Sequence, residues 1–127
     1  MSELDLDRAF LLAIPYHLPQ VMAFRRNVVN VRSELGFRVR AGVRGQADIY
    51  CIVRGGGHVE IETKMPGRKL RIEQIAWRQR CEAMQIPYLL LYGIRRSTPA
   101  ATVESWVEAL REAISSWGHA RAEGSGE

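Results

Sequence analysis

Ala47-Asp48-Ile49-Tyr50-Cys51-Ile52-Val53, then Arg54-Gly55-Gly56-Gly57, then His58-Val59-Glu60-Ile61-Glu62-Thr63-Lys64 is the stretch that decides how this chain folds. Ala47 to Val53 is short, apolar and rich in β-branched and aromatic residues, the composition of a buried central strand. From Val59 to Lys64 the pattern turns to alternation, with Val59, Ile61 and Thr63 on one face and Glu60, Glu62 and Lys64 on the other. The glycines between supply the positive φ angles of a tight hairpin. If that hairpin is symmetric about Gly55, Asp48 faces Glu62 with Cβ atoms about 5 Å apart, and Lys64 leaves from the same face two residues on.

Carboxylates so close repel one another unless a cation lies between them. Mg²⁺ takes hard oxygen donors in octahedral array and keeps several waters. Asp48, Glu62 and the backbone carbonyl of Thr63 therefore make a partial shell for Mg²⁺. With Lys64 to orient a water or stabilise developing charge, the set points to metal-dependent phosphodiester hydrolysis, which needs no nucleophilic side chain. The bland alternative is a solvated strand face of alternating charge. Asp48 argues against it, because a carboxylate flanked by apolar residues would be buried without reason. Glu60 replaces Glu62 as ligand if the register slips.

Gly45-Gln46-Ala47-Asp48-Ile49, Val59-Glu60-Ile61-Glu62-Thr63-Lys64, Gly67-Arg68-Lys69-Leu70 and Gln74 together resemble the PD-(D/E)XK nuclease superfamily, and within it the VRR-NUC (virus-type replication-repair nuclease) domains. The similarity runs from about Glu3 to Gly93 and includes Phe24-Arg25-Arg26-Asn27. It implies an α/β fold, a mixed central sheet with flanking helices in the order αβββαβ, here followed by a C-terminal helix. It also implies an Mg²⁺- or Mn²⁺-dependent endodeoxyribonuclease with Asp48 and Glu62 as metal ligands, Lys64 catalytic, and Gln74 supporting the site from the next helix. An acidic residue of the first helix often completes such sites; Glu3 is the best match, with Asp5 and Asp7 competing. Ala47 departs from the family, which has Pro or Ser there, at a position that shapes the turn and is not a ligand. Gln74 shares a helical row with Leu70, Trp77 and Cys81, so a packed, satisfied Gln fits the sequence as well as a supporting one. The likeness to Holliday-junction resolving enzymes implies structure-selective cutting of branched DNA, in phage recombination or bacterial repair, by a homodimer. Two other readings stand beside it: a nucleic-acid-binding module that keeps the fold without cleaving, and a sequence-specific restriction-type nuclease.

Charge agrees with a polyanionic substrate. The chain carries 18 Lys and Arg against 14 Asp and Glu, net +4. From Arg25 to Arg80 the count is 13 against 5, or +8, which leaves −4 for the ends. Each neutralised phosphate adds binding through counterion release. Arg68 and Lys69, directly after the second strand, are the first choice for phosphate contacts, followed by Arg25, Arg40, Arg44 and Arg71.

At 127 residues and 46% hydrophobic content the chain reads as one domain over 1–118, with a Gly/Ser/Glu tail over 119–127 expected to be disordered. No apolar run approaches the roughly 20 residues of a membrane span, and the first residues are acidic where a secretory signal is basic, so a cytoplasmic location is expected. Cys51 and Cys81 read as core thiols. His17, His58 and His119 lack ligand spacing, and no small-molecule cofactor is implied. The flanking elements are a helix over Leu4 to Ile14 stopped near Pro15, strands at Met22 to Arg26 and Phe37 to Ala41, a helix over Arg71 to Gln85 and a strand at Tyr88 to Tyr92. A last helix is capped by Thr98 with Pro99 in its first turn. Its stripe of Val103, Trp106, Val107, Leu110, Ala113, Ile114 and Trp117 ends at Gly118; the two tryptophans either cover the sheet or join two subunits.

Overall fold

Ser2 opens the first helix. Its hydroxyl accepts the Asp5 N–H at 3.2 Å, and the Asp5 carboxylate accepts in return from Ser2 N–H and O–H at 3.3 and 2.8 Å, a reciprocal capping box. In this computed structural model, which describes residues 2–26, 30–32, 38–40 and 44–125, the elements run α1 (Glu3–His17), β1 (Val21–Arg25), β2 (Asn30–Arg32), β3 (Arg38–Arg40), β4 (Ile49–Val53), β5 (Gly57–Lys64), α2 (Ile72–Ala83), β6 (Tyr88–Tyr92) and α3 (Pro99–Ser125). The side chains of 30–32, 38–40 and 118–125 lie outside the described residues. One sheet has the order β1-β4-β5-β6, antiparallel except for the parallel β5–β6 pair, and β2 and β3 pair separately. With that pair set aside, the order is α1-β1-β4-β5-α2-β6-α3, a mixed α/β fold with a four-stranded sheet.

The hairpin forms in the expected register. Ile49 pairs with Ile61 and Cys51 with Val59, and Gly55 and Gly56 take φ of +91° and +96° in the turn. Ile49, Cys51, Val53, Val59 and Ile61 therefore share one face, against which α1 and α3 bring Phe10, Ile14, Trp106 and Leu110. Burying each such large side chain contributes about 1.5–3 kcal/mol. Trp106 meets Phe10 edge-on at 5.5 Å between centroids and donates Nε1–H to the Tyr92 carbonyl at 2.9 Å. Trp117 lies so close to Gly57 that a Cβ there would stand 2.7 Å from its ring. Both tryptophans thus cover the sheet. Cys51 and Cys81 are buried free thiols, and no described helix is long and apolar enough to cross a membrane.

Three elements differ from expectation. Pro15 does not stop α1, which continues to His17. A proline in the last turn removes one N–H and leaves the bond from Leu18 N–H to the Ile14 carbonyl (2.7 Å) to close the end ahead of Pro19. Gly118 does not end α3, which runs to Ser125 through the stretch expected to be disordered; a helical Gly costs about 1 kcal/mol, and Ala120, Arg121, Ala122 and Glu123 are strong helix formers. Residues 126–127 lie outside the described residues. β2 was not expected at all, and the ends of the strand expected at Phe37 to Ala41 fall outside the described residues.

Candidate active site

Beyond the last paired residues Ile49 and Ile61, Asp48 and Glu62 are next in register, and the Asp48 N–H donates to Glu62 Oε2 at 3.2 Å. They lie on the face opposite the core, where α2 packs. Glu62 is almost fully buried and is held from a second side: Gln74 Nε2–H donates to its Oε1 at 3.0 Å, while Gln74 Oε1 accepts the Arg71 N–H at 2.9 Å. Gln74 is therefore both packed and directed at the site. Lys64 Nζ stands 3.9 Å from Glu62 Oε1 with only 13% of its side chain exposed. The Asp48 segment docks on α2 through Gly45, at φ +83°, where a Cβ would fall 2.1 Å from the Glu73 carbonyl oxygen.

The first helix brings two acids to this point. Glu3 and Asp7, one turn apart and on one helix face, place carboxylate oxygens within 4.8 Å of each other and of Asp48. Asp5, between them, is committed to capping Ser2, and those hydrogen bonds hold its carboxyl below the usual range. Asp7, which the sequence ranks behind Glu3, is the more buried of the pair and accepts the Thr63 hydroxyl at 2.6 Å. The side chain of Thr63 thus works through Asp7.

Burial and crowding load these acids. Burial pushes Glu62 up to about 8, with the Asp48 charge adding to it and Lys64 opposing. Asp7 rises to about 6, chiefly from burial, against the Thr63 hydrogen bond. Burial also raises Asp48, against the pull of Arg25, Lys64 and Arg71, and raises Glu3, with Asp48 contributing. All the donors are hard oxygens, the set that suits Mg²⁺ or Mn²⁺, and their mutual repulsion is the kind that a divalent cation relieves. The residues fit such an ion.

Around these groups opens a cleft of about 580 Å³ lined by Glu3, Asp48, Glu62, Lys64, Gln74 and a basic rim of Arg68, Lys69 and Arg71. Arg25 and Arg44 are exposed away from the lining, although Arg25 is close enough to act on Asp48 and Asp7. The Arg40 side chain lies outside the described residues.

Glu60 has a different role from Glu62. It is 1% exposed and takes both guanidinium nitrogens of Arg26, at 2.5 and 2.8 Å, together with Trp77 Nε1–H at 3.0 Å and His58 Nε2 at 2.5 Å. Arg26 also donates to the Ala47 carbonyl at 3.0 Å and, through its backbone N–H, to the Asp48 carbonyl at 2.7 Å. The pair clamps the segment that carries Asp48. Sequence reasoning missed this clamp; the one local signal was His58 two residues from Glu60 on the same strand face.

No family model and no curated protein matches the chain. Among solved structures, it is similar to paFAN1 bound to 1nt 5′ flap DNA with gap, at 23% identity and TM-score 0.33, over 39% of this chain and 10% of that one.

Proposed function

We propose that this protein is a divalent-metal-dependent endonuclease on a PD-(D/E)XK core, hydrolysing DNA phosphodiester bonds with preference for branched or otherwise non-duplex structures. One observation carries the reading. Asp48, Glu62 and Lys64 converge with Glu3 in a cleft rimmed by Arg68, Lys69 and Arg71, and the buried Asp7 adjoins Asp48 and Glu3 from the side of α1. With the separately paired β2 and β3 left out, the element order α1-β1-β4-β5-α2-β6 is compatible with an αβββαβ core.

Asp48, Glu3 and Asp7, with Glu62 and the Thr63 carbonyl beside them, would hold Mg²⁺ or Mn²⁺. When bound, such an ion stabilises charge on a phosphate and lowers the pKa of a water. The chain's own groups do the rest. Lys64, close to Glu62 and shielded from solvent, offers a positive charge to the phosphate as charge builds on it. Gln74 and the Asp48 N–H keep the Glu62 carboxylate from rotating. The basic rim takes phosphates flanking the cut. Cutting paired strands symmetrically calls for two such sites, hence a homodimer.

Supercoiled plasmid, linear duplex and a synthetic four-way junction, each incubated with Mg²⁺, Mn²⁺ or EDTA, test this with the wild type beside Asp48→Asn. Metal-dependent cleavage that the variant loses, faster on the junction than on linear duplex, is expected. Binding without cleavage under every metal condition would instead favour a non-catalytic module. Cutting at one defined sequence of linear duplex would favour a restriction-type enzyme. Sedimentation as a monomer at the assay concentration would remove the dimer.

A further inference from the structure

The sheet face that carries Asp48 and Glu62 continues away from the cleft as a row of rings. Phe24 of β1 stacks on Tyr50 of β4 at 5.2 Å between centroids and 23° between planes, and Tyr50 stacks on His58 of β5 at 5.9 Å and 16°. Register produces the row: Phe24 lies directly opposite Tyr50, and His58 lies on the diagonal to it. The Arg26 guanidinium, fixed by Glu60, lies over Tyr50 at 4.7 Å. The rings are thus held in place before any ligand arrives.

Helix α2 covers Glu60 and Glu62 but leaves this end open. Met22 is 57% exposed, and Phe24 and Ile52 are each 40% exposed. Single exposed hydrophobes need no explanation, but these three are neighbours on one face, and contiguous apolar surface marks contact with a partner. Among the described residues β1 is the edge strand, and no further strand of this sheet stands beside Phe24. The stack ends in a half-exposed ring.

Charge identifies the partner. Arg54 borders a shallow groove with Met22 and Ile52 on this face, whereas Arg25, next to Phe24 in β1, leaves on the opposite face. The carboxylate of this stretch, Glu60, is already engaged by Arg26, His58 and Trp77. The half-exposed Phe24 ring that ends the stack, on a face bordered by the cationic Arg54, suits a planar base on a polyanionic strand; a second copy would set like charges against each other. We propose that Phe24, backed by Tyr50 and His58, forms a stacking platform for an unpaired base of a single-stranded nucleic-acid segment. Along β4, Tyr50 is two residues from Asp48, about 7 Å, or about two phosphate steps of a stacked strand. A base on the platform and a phosphate in the cleft are therefore within reach of one strand. That link rests on the endonuclease reading, whereas base stacking itself does not.

The test is fluorescence anisotropy in EDTA with labelled oligo(dT) and with an abasic oligomer of equal length and charge, using wild type, Phe24→Leu and Phe24→Trp. Wild type is expected to bind oligo(dT) about tenfold or more tighter than the abasic strand. Phe24→Leu, which keeps an apolar side chain without the ring, should lose most of that preference, and Phe24→Trp should keep it. Abasic binding and the salt slope should be the same for all three. Equal wild-type affinity for both oligomers would overturn the platform. So would a Phe24→Leu protein that binds oligo(dT) like wild type, one that weakens both oligomers equally, or one whose change is confined to sedimentation. Preference for oligo(dT) persisting in a protein that cleaves under no metal condition would leave the platform standing and remove the endonuclease reading alone.

Discussion

Lys64 sits within 3.9 Å of Glu62 Oε1 on a strand that carries no other free cation into the cleft, so its charge has one place to act. Losing a preorganised electrostatic group of this kind costs about 10²–10³ in kcat. Lys64→Ala is therefore expected to lose cleavage by that factor while binding DNA in EDTA within about twofold of wild type; near-normal turnover would remove the role. Glu60 is the opposite case, a residue whose loss is felt first in stability. Glu60→Ala strands the Arg26 guanidinium, which is 19% exposed, and breaking a buried pair from one side costs about 3 kcal/mol. That corresponds to a Tm lower by about 10 °C or more, read by thermal unfolding. Glu60→Gln should unfold closer to wild type. The two glutamates also show what the sequence could reveal at this scale. Alternation and the glycine turn placed Glu62 opposite Asp48, because a hairpin's register is local. Nothing local pairs Glu60 with Arg26, 34 residues away among many arginines.

Elements were legible where their signals were local and strong. The hairpin, β6 and the Thr98 cap of α3, whose hydroxyl accepts the Ala101 N–H at 3.1 Å, follow from turn glycines, a continuous apolar run and capping chemistry. Pro15 and Gly118 misled because a proline in a last turn removes a single N–H and one helical Gly costs only about 1 kcal/mol, neither enough to end these helices. The choice among Glu3, Asp5 and Asp7 was unreadable without the Ser2 cap that occupies Asp5. What joins the elements into a site is the fit of the loop before β4 against α2. Gly45→Ala puts a Cβ at 2.1 Å from the Glu73 carbonyl oxygen on a positive-φ backbone, so it should cost more than about 1 kcal/mol and impair cleavage by shifting Asp48 relative to Gln74. A wild-type Tm in that variant would show that the loop is free of the helix. The loop after β5 has a different task. Arg68→Ala with Lys69→Ala removes two basic groups from the rim, which should weaken DNA binding and reduce the magnitude of the log–log salt slope by about 2. An unchanged slope would place the DNA elsewhere.

At the scale of the whole molecule, a chain with net charge +4 gathers Glu3, Asp48 and Glu62 around one cleft with the buried Asp7 adjoining, and that arrangement has a thermodynamic signature. Burial and mutual repulsion raise Glu62 to about 8 from 4.5. A carboxyl raised on folding contributes stability that is fully present below about 4.5 and is lost as pH rises through about 8, because the folded state must then hold a buried charge. In EDTA, Tm should therefore fall between pH 6 and 9, and Glu62→Gln should flatten the fall. A divalent cation favours the ionised form, so its stabilisation, about 2.7 kcal/mol at a hundredfold excess over Kd, should grow across the same window. Thermal scans in EDTA and in Mg²⁺ are then expected to coincide near pH 5 and to diverge as pH rises, by several degrees at pH 8. Asp48→Asn should remove the divergence while leaving the protein folded. Wild-type scans that coincide at every pH would mean that the clustered carboxylates bind no cation, and the endonuclease reading would lose the chemistry on which it depends.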